Sequence, residues 1–168
     1  MPVEKKAKTG VDEKSGEEKG VAGARKPLKP VITLRAVDVH VGKGHVGGQN
    51  KPKNVEEWNA LPHNLYCGRW MFCARIKSPY FNPVRMLKDL AAKDPEAERK
   101  RAIAAFEAHM DKKQLHVQLQ AELVRRVQQH PEISAFSLGC WCKPLPCHVD
   151  QLIARVCALP CKNFEFRA

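Results

Sequence analysis

Three cysteines, a histidine and an acid fall within the thirteen residues 138–150, Leu-Gly-Cys-Trp-Cys-Lys-Pro-Leu-Pro-Cys-His-Val-Asp, and nowhere else is the chain so dense in reactive side chains. Three chemistries are open to such a set. As a metal site, Cys140, Cys142, Cys147 and His148 offer four soft ligands, enough for tetrahedral zinc. One residue between the first two and none between the last two departs from the usual knuckle spacing, which makes chelation of one ion awkward. As an enzyme site, a Cys147 thiolate with His148 or Cys142 nearby could attack an electrophile or exchange disulfides, with Asp150 as orienting group. As a binding site, the same stretch would hold a phosphate-bearing or other anionic small molecule, the thiols serving only as packing groups.

The flanking residues decide how the set is presented. Ile133–Leu138 reads as a short buried strand and Gln151–Val156 as the apolar face of a helix, so the motif is a strand-to-helix turn. Pro144 and Pro146 forbid a strand there, and Pro146 is placed to open the helix. Cys147 and His148 then lie at a helix N-terminus, where free amides favour anions and lower a thiol pKa. Upstream, Leu65–Cys67 reads as a strand ending in Gly68-Arg69. The glycine permits a sharp exit with close approach of a ligand, and the arginine carries a fork suited to phosphate or carboxylate. Asn82-Pro83 reads as a turn that presents the Asn amide to the same ligand.

These three stretches together carry a resemblance. Cys140-Trp-Cys-Lys-Pro-Leu-Pro-Cys-His148, Asn64-Leu-Tyr-Cys-Gly-Arg69 and Asn82-Pro83 resemble the signature of Domain of Unknown Function 4326, over roughly residues 31–158. Val149 stands where that family usually has Gly, and Trp70–Phe81 is longer and more apolar than its usual link. The resemblance implies a layout of Gly-Arg, Asn-Pro and Cys/His motifs, and no activity.

The whole chain sets the frame. Its 168 residues suit one domain with an appendage. A formal charge of +11 favours anionic partners such as nucleotides, nucleic acid or acidic protein surfaces, and charge alone does not choose among them; with the site motifs, an anionic small molecule is the first expectation and nucleic acid a further one. Seven cysteines without a secretory leader indicate a reducing, intracellular setting, and no stretch is apolar enough to span a bilayer. Residues 1–30 lack aromatics and carry a net +3, which predicts a disordered charged tail; residues 31–168 form the single domain.

Within that domain, Val31–Val37 is rich in β-branched residues and reads as the first strand, followed by a Gly-rich loop over 42–48 that lacks a phosphate-loop ending. Asn54–Leu61 reads as a short helix with Trp58 and Leu61 inward. The aromatics of Trp70–Phe81 read as core more readily than as stacking platforms. Asp94-Pro95 opens a helix with a buried stripe at Ile103, Phe106 and Met110, and a second helix carries Leu115, Leu119, Leu123 and Val127. The basic residues of these helices, Arg99, Lys100, Arg101, Lys112, Lys113, Arg125 and Arg126, read as a solvated face. Cys67, Cys73, Cys157 and Cys161 read as small buried hydrophobes.

Strands at 31–37, 64–68 and 133–138 alternating with helices predict an α/β domain, Rossmann-like, with a small parallel sheet of three to five strands. In such sheets ligands bind beyond the carboxyl ends of the strands, so Gly68-Arg69 and Cys140-Trp141-Cys142 are expected to face one cleft. The expected occupants, in order, are an anionic, nucleotide-like molecule, then zinc, with a structural nucleic-acid-binding module last. A free, reactive Cys147 is the expectation that goes with the first.

Overall fold

The β-branched run near the start of the chain becomes the second strand inward of a fully parallel sheet. The computed structural model describes residues 28–39, 55–69 and 76–168. In chain order the elements are β1 (Val31–Asp38), α1 (Val55–Ala60), β2 (Asn64–Tyr66), α2 (Lys88–Lys93), α3 (Pro95–Lys113), α4 (Leu115–Gln129), β3 (Ala135–Cys140), α5 (His148–Ala158) and β4 (Glu165–Arg167). The sheet order is β2-β3-β1-β4 and every pairing is parallel. The expected α/β class therefore holds, with four strands. Most of the charged tail, the Gly-rich loop with His40 and His45, the Asn54 cap, and Trp70, Phe72, Cys73 and Arg75 lie outside the described residues.

Alternation along the strands sorts the two faces of the sheet. Ile32 and Leu34 of β1, Leu65 of β2, and Phe136 and Leu138 of β3 point to the side covered by α3, α4 and α5, where they meet Phe106, Met110, Leu119, Leu123, Leu152 and Val156. The opposite face carries a smaller cluster of Val39, Val55, Trp58 and Tyr66 beneath α1. Gly139 is where this second cluster comes closest to the sheet: a methyl at its Cα would sit 2.3 Å from Val39 Cγ1 and 2.6 Å from the Trp58 ring.

The helices start and stop for local reasons. Asp94 caps α3, its carboxylate accepting from the amides of Glu96 (3.1 Å) and Ala97 (2.9 Å), with Pro95 in the first turn. Gln114, at φ 54°, separates α3 from α4. Leu115, Leu119, Leu123 and Val127 are all buried, as their spacing predicts. On α3 the buried stripe is Glu98, Ala102, Phe106 and Met110. Ile103 stands one position off that line and borders a cavity instead.

Four further differences matter. β3 starts and ends two residues later than expected, because its register with β1 runs on to Asp38 opposite Cys140. Cys140 is thus the last residue of the strand and not the first beyond it. β2 stops at Tyr66, although the Cys67 amide still donates to the Gly139 carbonyl (2.8 Å). Helix α2 and strand β4 were not foreseen. Arg126 is not a solvated residue either: its Nη1 donates to the carbonyls of Pro62 (3.1 Å) and Asn64 (2.7 Å), tying α4 to the start of β2.

Glu98 is an acid in a core position, 3% exposed. Its carboxylate accepts from the Leu87 amide (2.6 Å) and from Nε and Nη2 of Arg101 (both 2.7 Å). The Arg101 hydrogen bonds, then the Leu87 amide, hold its pKa down to about 2 from an ordinary 4.5. A carboxyl whose folded pKa is depressed stabilises above its unfolded pKa, and that stabilisation is lost as pH falls through the folded value. Wild type is therefore expected to lose more stability than Glu98→Gln between about pH 4.5 and pH 2, the two melting curves converging at the acid end. Parallel curves across that window would remove Glu98 from the acid response.

Candidate functional site

Cys140 ends β3, Cys142 lies in the turn that follows, Cys147 is the N-cap of α5 and His148 its first residue. The turn between them contains a cis Lys143–Pro144 peptide. These elements bring the three sulfurs and one imidazole nitrogen within 4.8 Å of one another, and the cluster is buried except for half-exposed Cys142. His148 Nδ1 is 3.6 Å from Cys147 Sγ and 3.9 Å from Cys140 Sγ. His148 Nε2 lies 2.9 Å from the Cys67 carbonyl oxygen, which can only accept, so Nε2 carries the hydrogen and Nδ1 faces the sulfurs. The Phe106 ring and the imidazole pack edge to face, centroids 5.0 Å apart at 73°.

Electrostatics inside the cluster differ from the sequence expectation. The thiol driven well below the ordinary range is that of Cys142, which takes hydrogen bonds from Cys140, Cys147 and His148. Cys147 is pushed up, first by its hydrogen bonds to Cys140 and Cys142 and then by burial. The α5 amide of Val149 does point at Cys147 Sγ (3.4 Å), as a helix N-terminus should. It is outweighed by the neighbouring sulfurs. Burial alone would lower the His148 pKa, but hydrogen bonds with Cys140 and Cys142 lift it to about 9. Cys142, Cys147 and His148 thus titrate together and not as independent groups.

The remaining expected residues fall beside this unit, mostly in supporting roles. Asp150 closes a capping box, its Oδ2 accepting from the Cys147 amide (2.9 Å), while Oδ1 accepts from Lys143 Nζ (2.6 Å). It fixes the turn and does not orient His148. Gly68 also leaves room for a side chain, since a methyl there would lie 2.4 Å from the Tyr66 hydroxyl. That hydroxyl donates to the Arg69 carbonyl (2.7 Å) and accepts from Trp141 Nε1 (2.6 Å). Arg69 Nε donates to the Asn82 carbonyl (2.7 Å) and Nη2 to the Val84 carbonyl. Asn82, in turn, donates from Nδ2 to the Ala102 carbonyl (3.2 Å) and accepts the Val84 amide (2.8 Å). Both ends of its amide are engaged, so it pins the segment before α2 to α3.

Gly68, Arg69, Asn82 and the four cluster residues nevertheless border one cavity of about 460 Å3, together with Val84, Arg85, Met86, Arg99, Ala102, Ile103, Trp141 and Pro146. The two strand-exit motifs do meet there, at the carboxyl end of the sheet. Sequence reasoning missed Tyr66, Trp141, Arg85 and Arg99. Arg99 was visible as a basic residue one turn into α3 on the side of Ile103, which is the only signal that could have singled it out.

Fold and cluster together define a small parallel α/β domain with a Cys3His constellation at the carboxyl end of its sheet. Among the described residues, no helix is long and apolar enough to cross a membrane. The chain belongs to the family described as a domain of unknown function, DUF4326, whose model matches residues 50–158. The match takes in the Gly-Arg, Asn-Pro and Cys/His motifs and leaves β1 and β4 outside. No curated protein and no solved structure matches the chain.

Proposed function

We propose that this domain holds a zinc ion on Cys140, Cys142, Cys147 and His148 Nδ1, as a centre that organises the turn between β3 and α5. The observation that carries this reading is the convergence of four soft ligand atoms within 4.8 Å. Zn–S of about 2.3 Å and Zn–N of about 2.0–2.1 Å at a tetrahedral angle require a sulfur-to-nitrogen separation of about 3.6 Å. The 3.6 and 3.9 Å separations from His148 Nδ1 lie close to that value. The bond from Nε2 to the Cys67 carbonyl is the outer contact that metal-bound histidines commonly make.

The irregular spacing that argues against zinc in the sequence loses its force because the ligands sit on three different local structures, a strand end, a turn and a helix cap. A divalent ion binds thiolates and neutral imidazole, and so displaces thiol protons as it enters. With four protein ligands the centre is closed, which favours a structural role over a catalytic one. Thiol catalysis by Cys147 is correspondingly disfavoured, since its sulfur is buried and engaged.

A second reading concerns the adjoining cavity, which we take to be a site for a small anion. It is supported by three arginines, Arg69, Arg85 and Arg99, and by the lack of any carboxylate among the described residues that line it.

Protein purified without chelator is expected to contain one zinc per chain by elemental analysis. Cys140, Cys142 and Cys147 should resist iodoacetamide until a chelator is added, although Cys142 is half-exposed. Metal-free protein that takes up no zinc on titration, with Cys142 alkylated at once, would overturn the metal reading.

A further inference from the structure

The arginines of the described residues divide into two sets. Arg101, Arg125, Arg126, Arg155 and Arg167 each pair with a carboxylate. Arg35, Arg69, Arg85 and Arg99 have no such partner among the described residues, and three of those four border the cavity beside the Cys/His cluster. Arg69 is engaged with the carbonyls of Asn82 and Val84. The guanidinium groups of Arg85, on the segment before α2, and Arg99, on α3, make no hydrogen bond to a described residue. Two such planar forks lining one cavity suit an anion placed against them.

The rest of the wall restricts what the anion is attached to. Val84, Met86, Ile103, Trp141 and Pro146 are apolar or aromatic, and the Asn82 amide is already engaged at both ends. No Asp or Glu is among the described residues that line the cavity, and its apolar wall suits a flat ring with apolar faces. At about 460 Å3 the space suits a small ligand. Trp141 is held by its bond to the Tyr66 hydroxyl, so the indole forms a fixed part of the wall.

We infer that the cavity binds a free mononucleotide, its phosphate held by Arg85 and Arg99 and its base against the apolar wall of Met86, Ile103 and Trp141. This deepens the reading of the cavity as an anion site and rests on it, but does not depend on which metal fills the neighbouring cluster.

The test is calorimetry on the full chain with its metal content measured. AMP, GMP, CMP and UMP are compared with inorganic phosphate, with the four nucleosides and with oligonucleotides of increasing length. At least one mononucleotide is expected to bind one to one, at least tenfold more tightly than phosphate or its own nucleoside. Charge-assisted contacts of this kind are worth about tenfold or more each, so Arg85→Gln with Arg99→Gln should weaken binding about a hundredfold. Zinc content and melting temperature should stay unchanged, because Arg85 is exposed and Arg99 half-buried. Arg35→Gln, away from the cavity, should bind as wild type does. Phosphate binding as tightly as every mononucleotide, with dependence on the two arginines, would remove the nucleotide assignment and leave the anion site standing. No binding of either probe would remove both. Affinity that climbs with oligonucleotide length would replace the small ligand with a nucleic acid strand.

Discussion

Cys147→Ser is expected to lose the bound zinc and to melt about 10 °C below wild type. Serine is a good N-cap, so the cap on the Val149 amide survives the substitution and the loss reports on the metal. A ligand present at a thousand times its dissociation constant stabilises by about 4 kcal/mol, and a domain of this size shifts by about 2–4 °C for each of those. Most of the core over α3, α4 and α5 comes from residues outside the Cys/His cluster, Phe106, Met110, Leu119, Leu123, Leu152 and Val156 among them, so the variant should still unfold cooperatively. Calorimetry with and without chelator checks the argument: chelator should bring wild type down to the variant and leave the variant where it was. Equal melting temperatures in wild type and variant would place the cluster among ordinary buried thiols.

Gly139→Ala is expected to destabilise by about 1–3 kcal/mol, the range for forcing an extra methyl into a packed interior. The glycine lies in a strand flanked on both sides, with Val37 opposite it on β1 and Tyr66 on β2. A methyl there meets Val39 and the Trp58 ring at distances that neither can tolerate without moving. Trp58→Phe in the same chain should recover part of the loss, because the smaller ring vacates the contact. Urea unfolding of the two single variants and the double variant gives the coupling directly. Additive losses would show that the Trp58 ring is not what the methyl meets.

The parts of the fold that could be read from sequence were those with strong periodicity or paired punctuation. Leu115, Leu119, Leu123 and Val127 repeat every four residues, and Asp94-Pro95 is a cap followed by a helix opener. β4 could not be read, because three residues with one buried side chain, Phe166, have no pattern of their own. They become a strand only because β1 offers them an edge. α2 buries no residue and gives no apolar stripe.

In the candidate site, residue types pointed to the place where four ligand atoms converge, and spacing pointed away from that convergence. Cys140, Cys142, Cys147 and His148 are awkward as a linear chelate, and only the turn that folds Cys142 back toward the helix cap removes the difficulty. Arg69 and Asn82 were legible as cavity residues. That their polar atoms would be taken by the backbone of residues 82–84 and 102 was not, since those partners are distant in sequence or carry no side-chain signal.

β1 lies between two strands that come much later in the chain, with Val31–Thr33 paired to Glu165–Arg167 on one side and Thr33–Asp38 to Ala135–Cys140 on the other. During synthesis β1 is therefore made well before the strands that enclose it. A chain halted before residue 165 would leave the β1 edge open, with a row of unpaired backbone groups and the apolar Ile32 and Leu34 beside it. Premature stops or proteolytic nicks near α5 should consequently appear as aggregation and turnover of the whole product, and not as a shortened but soluble domain.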